Sequence, residues 1–287
     1  MNKIKGLLLI SISVFFITSC SLKTNKLDNA TIYTTIYPVK YIMESLYGEN
    51  STITSIYPNG VNLNEYELTE KQLDNYASGD LFVYVGVGNE KEIAKSLVNK
   101  NNKLLIIDAT YGLSSNNYKE LWLAPNNFLM MLKNVKNSLN EYLDNSIKEE
   151  EVTKKYDEIY TKVSWLDAEF RSIAKQAEEN GKSTLVTSSH TFDFLTGYGF
   201  NVICLQDIES SGSASAVSDI KSKFKGTTYT NIIKLNSEEE SELVKELVNK
   251  YKAKVTNIND LVTNEDSASD YVTIQYENIS IIRDLLK

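Results

Sequence analysis

One histidine, two cysteines and three prolines are spread over 287 residues, and each scarcity excludes something. Two cysteines cannot build the disulfide framework that holds small secreted folds together. The single histidine, His190, with Ser188 and Ser189 beside it does not make a nucleophilic triad, which is assembled from distant segments and needs an orienting acid. No activated nucleophile is visible, and an enzyme is not expected. Three prolines and 12 glycines against 42% hydrophobic residues exclude a collagen-like or low-complexity chain and describe a folded domain. The positive charge that nucleic acid demands is missing as well. The formal net charge is -8, and the lysines are scattered among acids without a basic stripe. There is also no phosphate-binding loop of the form glycine, four residues, glycine, lysine, serine or threonine, so the chain carries no ATPase of that type.

The N-terminus is informative in a different way. MNKIKGLLLISISVFFITSC starts with Lys3 and Lys5, continues as an apolar run over 6–17 and closes with small polar residues before Cys20. The run is about 12 residues, short of the roughly 20 needed to cross a hydrocarbon core, so 1–19 reads as a secretory signal rather than a membrane span. Ile17, Thr18 and Ser19 form an imperfect version of the bacterial lipobox. Cys20 is therefore expected to become the lipidated N-terminus, its acyl chains holding the protein to the bilayer at the outer face of the cytoplasmic membrane. Residues 20–29 are polar and aperiodic, which suits a tether. With Cys20 acylated, Cys204 has no partner; within the apolar stretch 201–205 it reads as a small core residue on a strand.

A mature chain of about 265 residues exceeds the usual single-core size, so two lobes are expected. Over 30–126, strands at 31–37, 52–57, 80–86 and 104–107 alternate with short helical stretches, the pattern of a parallel α/β lobe. Region 127–181 changes to long helical periodicity, with its second helix over 148–180 closed by Gly181. Alternation returns over 182–287, including a helix at 191–198, a strand at 202–205 and a helix at 216–224. The serine-rich run 210–215 reads as a flexible loop, with Ser215 capping the next helix.

Four segments carry a family resemblance. Tyr57-Pro58-Asn59-Gly60-Val61-Asn62-Leu63-Asn64-Glu65-Tyr66-Glu67 resembles a proline-x-glycine-x-aspartate-proline-histidine-x-tyrosine-glutamate loop. Leu121-Trp122-Leu123-Ala124-Pro125-Asn126-Asn127 resembles the tryptophan-leucine-x-proline segment after a second ligand histidine. Thr187-Ser188-Ser189-His190-Thr191-Phe192 resembles the loop opening a second lobe, and Ile258-Asn259-Asp260-Leu261 with Asp270-Tyr271 a final ligand loop and C-terminal helix. By these segments, in this order, the chain is identified as a member of the zinc- and manganese-type solute-binding lipoproteins of ABC transporters. The resemblance implies two parallel-sheet α/β lobes joined by one long rigid helix, with a ligand cleft between them. It also implies a monomer that delivers zinc or manganese, as transported ligand, to an ABC permease in the membrane. Trp122 and Pro125 read as helix entry and packing.

The resemblance also implies a departure. A typical member holds its metal with three histidines and a carboxylate, or two of each; the equivalent positions here are Asn64, Glu120, Ser189 and Asn259. Neutral oxygen donors around one carboxylate do not rival imidazoles for zinc, so the usual site reads as degenerate. Glu65, His190 and Asp260 each stand one residue past an equivalent position, and with Glu120 they would supply one imidazole and three carboxylates. Against that rearranged set, a one-residue shift in an extended segment turns a side chain to the opposite face. Two alternatives stay open: an organic solute bound among Asn64, Tyr66, Trp122, Asn126 and Ser189, or a surface adhesion protein that kept the fold and lost its cargo.

Overall fold

The computed structural model describes residues 27–61, 63, 66–115, 117–264 and 269–287. Cys20, the segment read from sequence as a signal, Asn64 and Glu65 lie outside the described residues.

The chain enters as β1 (Ala30–Thr34), turns into α1 (Tyr37–Tyr47) and returns as β2 (Ser51–Ser55). The first strand ends earlier than its β-branched sequence predicts because Pro38 sits in the first turn of α1, where its missing N–H costs nothing. Next comes α2 (Glu70–Ala77), opened by a capping box in which Thr69 and Gln72 satisfy each other's backbone. It is followed by β3 (Leu81–Tyr84), buried at all four residues, then α3 (Glu90–Lys100) and β4 (Leu105–Asp108). The four strands are parallel, in the order β2-β1-β3-β4.

A helical stretch follows: α4 (Glu120–Leu123), α5 (Pro125–Tyr142) and α6 (Ser146–Glu179). The last is 34 residues long, about 50 Å at the α-helical rise. Asn145 caps its start, and Gly181 at φ +68° supplies the left-handed turn beyond its end. Its buried face runs from Val152 to Ile159, about two turns on, and then through Val163, Leu166, Phe170, Ile173 and Ala177 at three- and four-residue steps, and it packs on α1, α5 and the C-terminal helix.

The second sheet begins with β5 (Thr184–Thr187). A 3-10 run over His190–Tyr198 replaces the expected α-helix, before β6 (Asn201–Cys204). Then come α7 (Leu205–Ser210), α8 (Ala214–Lys225), β7 (Asn231–Leu235), α9 (Glu242–Tyr251), β8 (Lys254–Ile258) and α10 (Tyr271–Leu285). The order β6-β5-β7-β8, all parallel, repeats that of the first sheet. The serine-rich run is a correction to the sequence reading. It carries the end of α7 and the start of α8, and the cap is Ser213, whose Oγ accepts from Ala216 N at 3.2 Å, while Ser215 lies inside the helix. Among the described residues no helix is long and apolar enough to cross a membrane.

One apolar core runs through both lobes, from Ile32 and Phe82 under the first sheet to Leu185, Ile233 and Ile258 under the second. A smaller cluster, including Val186, Phe224, Ile232 and Leu247, forms a separate core in the second lobe. The bridge between lobes is aromatic. Tyr271, at the start of α10, is fully buried and stacks on Phe128 of α5 at 3.9 Å between centroids and on Tyr41 of α1 at 5.6 Å.

Candidate functional site

In a doubly wound sheet the binding crevice lies beyond the carboxyl ends of the strands, where the strand order reverses. Those points fall between β1 and β3 in the first lobe and between β5 and β7 in the second. Near each, the chain has placed an acid of its own. Glu90, buried at the start of α3, accepts from Val85 N at 2.8 Å and is bonded by the hydroxyls of Thr35 and Tyr57. Burial nevertheless pushes its carboxyl up to about 8, because desolvation outweighs those donors. Glu238, just past β7, accepts from the hydroxyls of Ser188, of Ser189 at 2.6 Å and of Thr191 at 3.3 Å.

The segment leading through α4 stitches the lobes together. Asn117 Nδ2 donates to Thr191 Oγ1 at 2.7 Å, Lys119 Nζ donates to Ser237 Oγ at 2.9 Å, and Trp122 Nε1 donates to the Asp260 carbonyl at 2.8 Å. The same Lys119 ammonium lies 3.7 Å from Asp260 Oδ2, a carboxylate only 8% exposed. Asp260 Oδ1 accepts from Val262 N at 3.0 Å, and Asn259 Oδ1 accepts from Leu261 N at 2.9 Å. These side chains hold Leu261 at φ +59°, an uncommon backbone for a branched residue, in the loop that meets Trp122.

Beside this seam opens a cavity of about 410 Å³, lined by Ser114, Ser115, Asn117, Glu120, His190 and Asp193. Glu120 comes from the first residue of α4, and its Oε2 accepts from Ser115 Oγ at 2.6 Å. His190 opens the 3-10 run after β5, which Ser189 caps by accepting from Thr191 N. The imidazole is held at both nitrogens. Nδ1 lies 2.8 Å from Asp193 Oδ2 and Nε2 lies 3.0 Å from Asp207 Oδ1. The hydrogen bond to Asp193, with both carboxylate charges nearby, raises the His190 pKa above its usual value.

Asp207 reaches the ring through strand register. Thr187 at the end of β5 pairs with Cys204 at the end of β6. His190 and Asp207 each follow three residues later, so two parallel strands deliver them side by side. Cys204 itself ends β6, buried, with its thiol pushed up by burial; His190, Cys204 and Asp207 offer ligand atoms that all lie within 4.8 Å of one another.

The sequence-derived candidates therefore separate. Glu120 and His190 share the cavity. Ser189 gives its hydroxyl to Glu238, Asn259 spends its side chain on the backbone, and Asp260 faces Lys119. Asn64 and Glu65 fall outside the described residues. Trp122, 1% exposed, and Pro125, the first residue of α5, take the packing and helix-entry roles read from sequence. Lys119, Asp193, Cys204 and Asp207 were not singled out as site residues by sequence. For Asp193 a signal exists, since it stands three residues after His190 in a helical stretch; the others depend on register and on the packing of lobes.

Two repeated α/β lobes, a long connecting helix and a polar cavity at their junction define a two-lobed solute-binding protein. Comparison with known proteins agrees. The family described as zinc-uptake complex component A, periplasmic (ZnuA) matches residues 32–285, and the chain belongs to it. The zinc-binding lipoprotein AdcA of Streptococcus pneumoniae is 23% identical over 239 residues, which cover 75% of this chain but 46% of that protein, so the chain spans under half of its length. The high-affinity zinc uptake system protein ZnuA of Bacillus subtilis is 22% identical over 319 residues, covering 99% of this chain and 98% of the relative. Among solved structures, the Zn(II)-bound ZnuA-like domain of Streptococcus pneumoniae AdcA has a TM-score of 0.71 at 22% identity, over 90% of this chain and 99% of that one. The laminin-binding protein Lbp of Streptococcus pyogenes has a TM-score of 0.71 at 17% identity, over 91% and 100%. Both share the fold.

Proposed function

We propose that the chain is an extracytoplasmic solute-binding lipoprotein, anchored through Cys20, that takes a divalent metal ion at the junction of its lobes and passes it to an ABC permease. The observation that carries this reading is the meeting of Glu120 and His190 at one cavity, the first from the N-terminal lobe and the second from the C-terminal lobe. An imidazole and carboxylates at a lobe junction are the donors a borderline divalent cation selects. Of the family's usual ligand positions described here only Glu120 supplies such a donor, since Ser189 gives its hydroxyl to Glu238 and Asn259 accepts from Leu261 N. The site is thus a rearranged one centred on His190. The supporting features outside the cavity are the signal segment and the lipobox-like residues before Cys20.

The test is calorimetric titration of the unacylated mature chain, starting at Ser21 and stripped with chelator, with zinc and with manganese, repeated on His190→Ala. Submicromolar binding that the variant loses is the expected result. Absence of heat from either ion in the parent protein removes metal delivery and moves the reading to a non-metal solute or a surface partner.

A further inference from the structure

We propose that His190 Nε2, Cys204 Sγ and Asp207 Oδ1 form a zinc site at the rim of the second lobe, with Asp193 as the outer carboxylate that orients the imidazole. The proposal rests on the reading of this chain as a metal-binding protein, and it names which atoms would hold the ion and which ion they prefer.

One ligand atom from each of the three residues lies within 4.8 Å of the other two, and Nε2 is the ring nitrogen that faces Asp207, 3.0 Å from its Oδ1. A tetrahedral zinc ion with ordinary Zn–N, Zn–O and Zn–S lengths sets its ligand atoms about 3.3–3.6 Å apart. Closing on the sulfur and opening the 3.0 Å His190–Asp207 contact are adjustments on the order of 1 Å, within the reach of side-chain torsions. Coordination replaces the S–H bond of Cys204 with a sulfur–metal bond, and the thiol proton leaves to solvent.

Independent geometry supports the same site. Metal-bound histidines typically use one nitrogen for the ion and give the other to a carboxylate, which fixes ring orientation. Here Nδ1 is already engaged by Asp193 at 2.8 Å, which leaves Nε2 directed at Asp207. The frame beneath is rigid, because the register of β5 on β6 pairs Thr187 with Cys204 and sets both ligand-bearing turns beside each other. Cys204 and Asp207 are then three residues apart across the first turn of α7. A nitrogen, a sulfur and one carboxylate oxygen suit zinc and disfavour manganese, which prefers oxygen donors. Three protein ligands leave a fourth position, and His190 and Asp193 put it next to the cavity shared with Glu120. The thiolate distinguishes this arrangement from the histidine-and-carboxylate sets that the family resemblance implied.

The experiment uses the unacylated mature chain and three variants, Cys204→Ser, Asp207→Asn and Glu120→Gln, each checked by thermal denaturation in the metal-free form. Cobalt is added first as a spectroscopic probe, then zinc affinity is measured by competition with a chromophoric chelator. The expected result is a thiolate-to-cobalt charge-transfer band in the parent that is absent in Cys204→Ser, with zinc affinity at least tenfold weaker in Cys204→Ser and Asp207→Asn. Cobalt binding without that band overturns the proposal, even if a variant folds poorly, since the parent alone decides it. Zinc affinity unchanged in both of those variants but lost in Glu120→Gln rejects this ligand set while keeping a metal site at the lobe junction. No zinc binding by the parent rejects both.

Discussion

His190 is the residue on which the chemistry turns, and its two carboxylate partners give it a pH signature. Its folded pKa is raised, chiefly by the bond to Asp193, so the stabilisation is present in full below the unfolded value of about 6.5 and is lost as pH rises through the raised value. A metal ion needs the neutral ring. Proton and metal therefore compete at the ring, and the Cys204 thiol gives up a second proton, so apparent zinc affinity is expected to rise with pH across that interval, by up to about a hundredfold per pH unit. Chelator-competition titrations across the neutral range check this; a flat profile places the ion away from the imidazole. Glu90 has the same sign for a different reason. Its carboxyl is raised from 4.5 to about 8 by burial, so the folded state keeps a proton that the unfolded state gives up, and stability falls as pH climbs between those values. Glu90→Gln is expected to flatten that fall by several degrees in melting temperature at the alkaline end. An unchanged slope in the variant would remove Glu90 as its source.

At the scale of elements, the Ser213 cap decides where α8 begins. Removing its hydroxyl in Ser213→Ala is expected to cost about 1 kcal/mol, whereas Ser215→Ala leaves stability near the parent, as denaturant melts will report. That pair of variants also marks the boundary of what the sequence alone discloses. The buried strand over Leu81–Tyr84 and the long helix Ser146–Glu179 are legible, because a continuous apolar run and a helical period are local properties. The serine run misleads, since serine favours loops and caps equally and its assignment depends on where the apolar face of α8 meets α9. The site is less legible still. Glu120 and His190 stand out by residue type, but Asp207 joins them only through the pairing of Thr187 with Cys204, a register that no local pattern encodes. Lys119 beside Asp260 is a contact between lobes, visible only after both have folded.

The whole molecule is fastened at its middle. Trp122 donates to the Asp260 carbonyl, and Tyr271 and Gln275 donate to the Trp122 carbonyl from α10. Trp122→Phe keeps most of the buried area but strands the carbonyl of Asp260, and a loss of about 1–3 kcal/mol is expected in equilibrium unfolding. These bonds, with the long helix behind them, restrict rotation of one lobe against the other. Solution scattering of the metal-free and zinc-loaded protein is therefore expected to give nearly superimposable curves; a marked contraction on loading would show that the seam opens. The position of α10 has a further consequence. Tyr271 completes the aromatic stack with Tyr41 and Phe128, so the interior of the first half of the chain is closed by a residue that α10 contributes. That helix is a latch on the first lobe, and a contact of such long sequence separation forms only after the entropy of closing the intervening chain has been met.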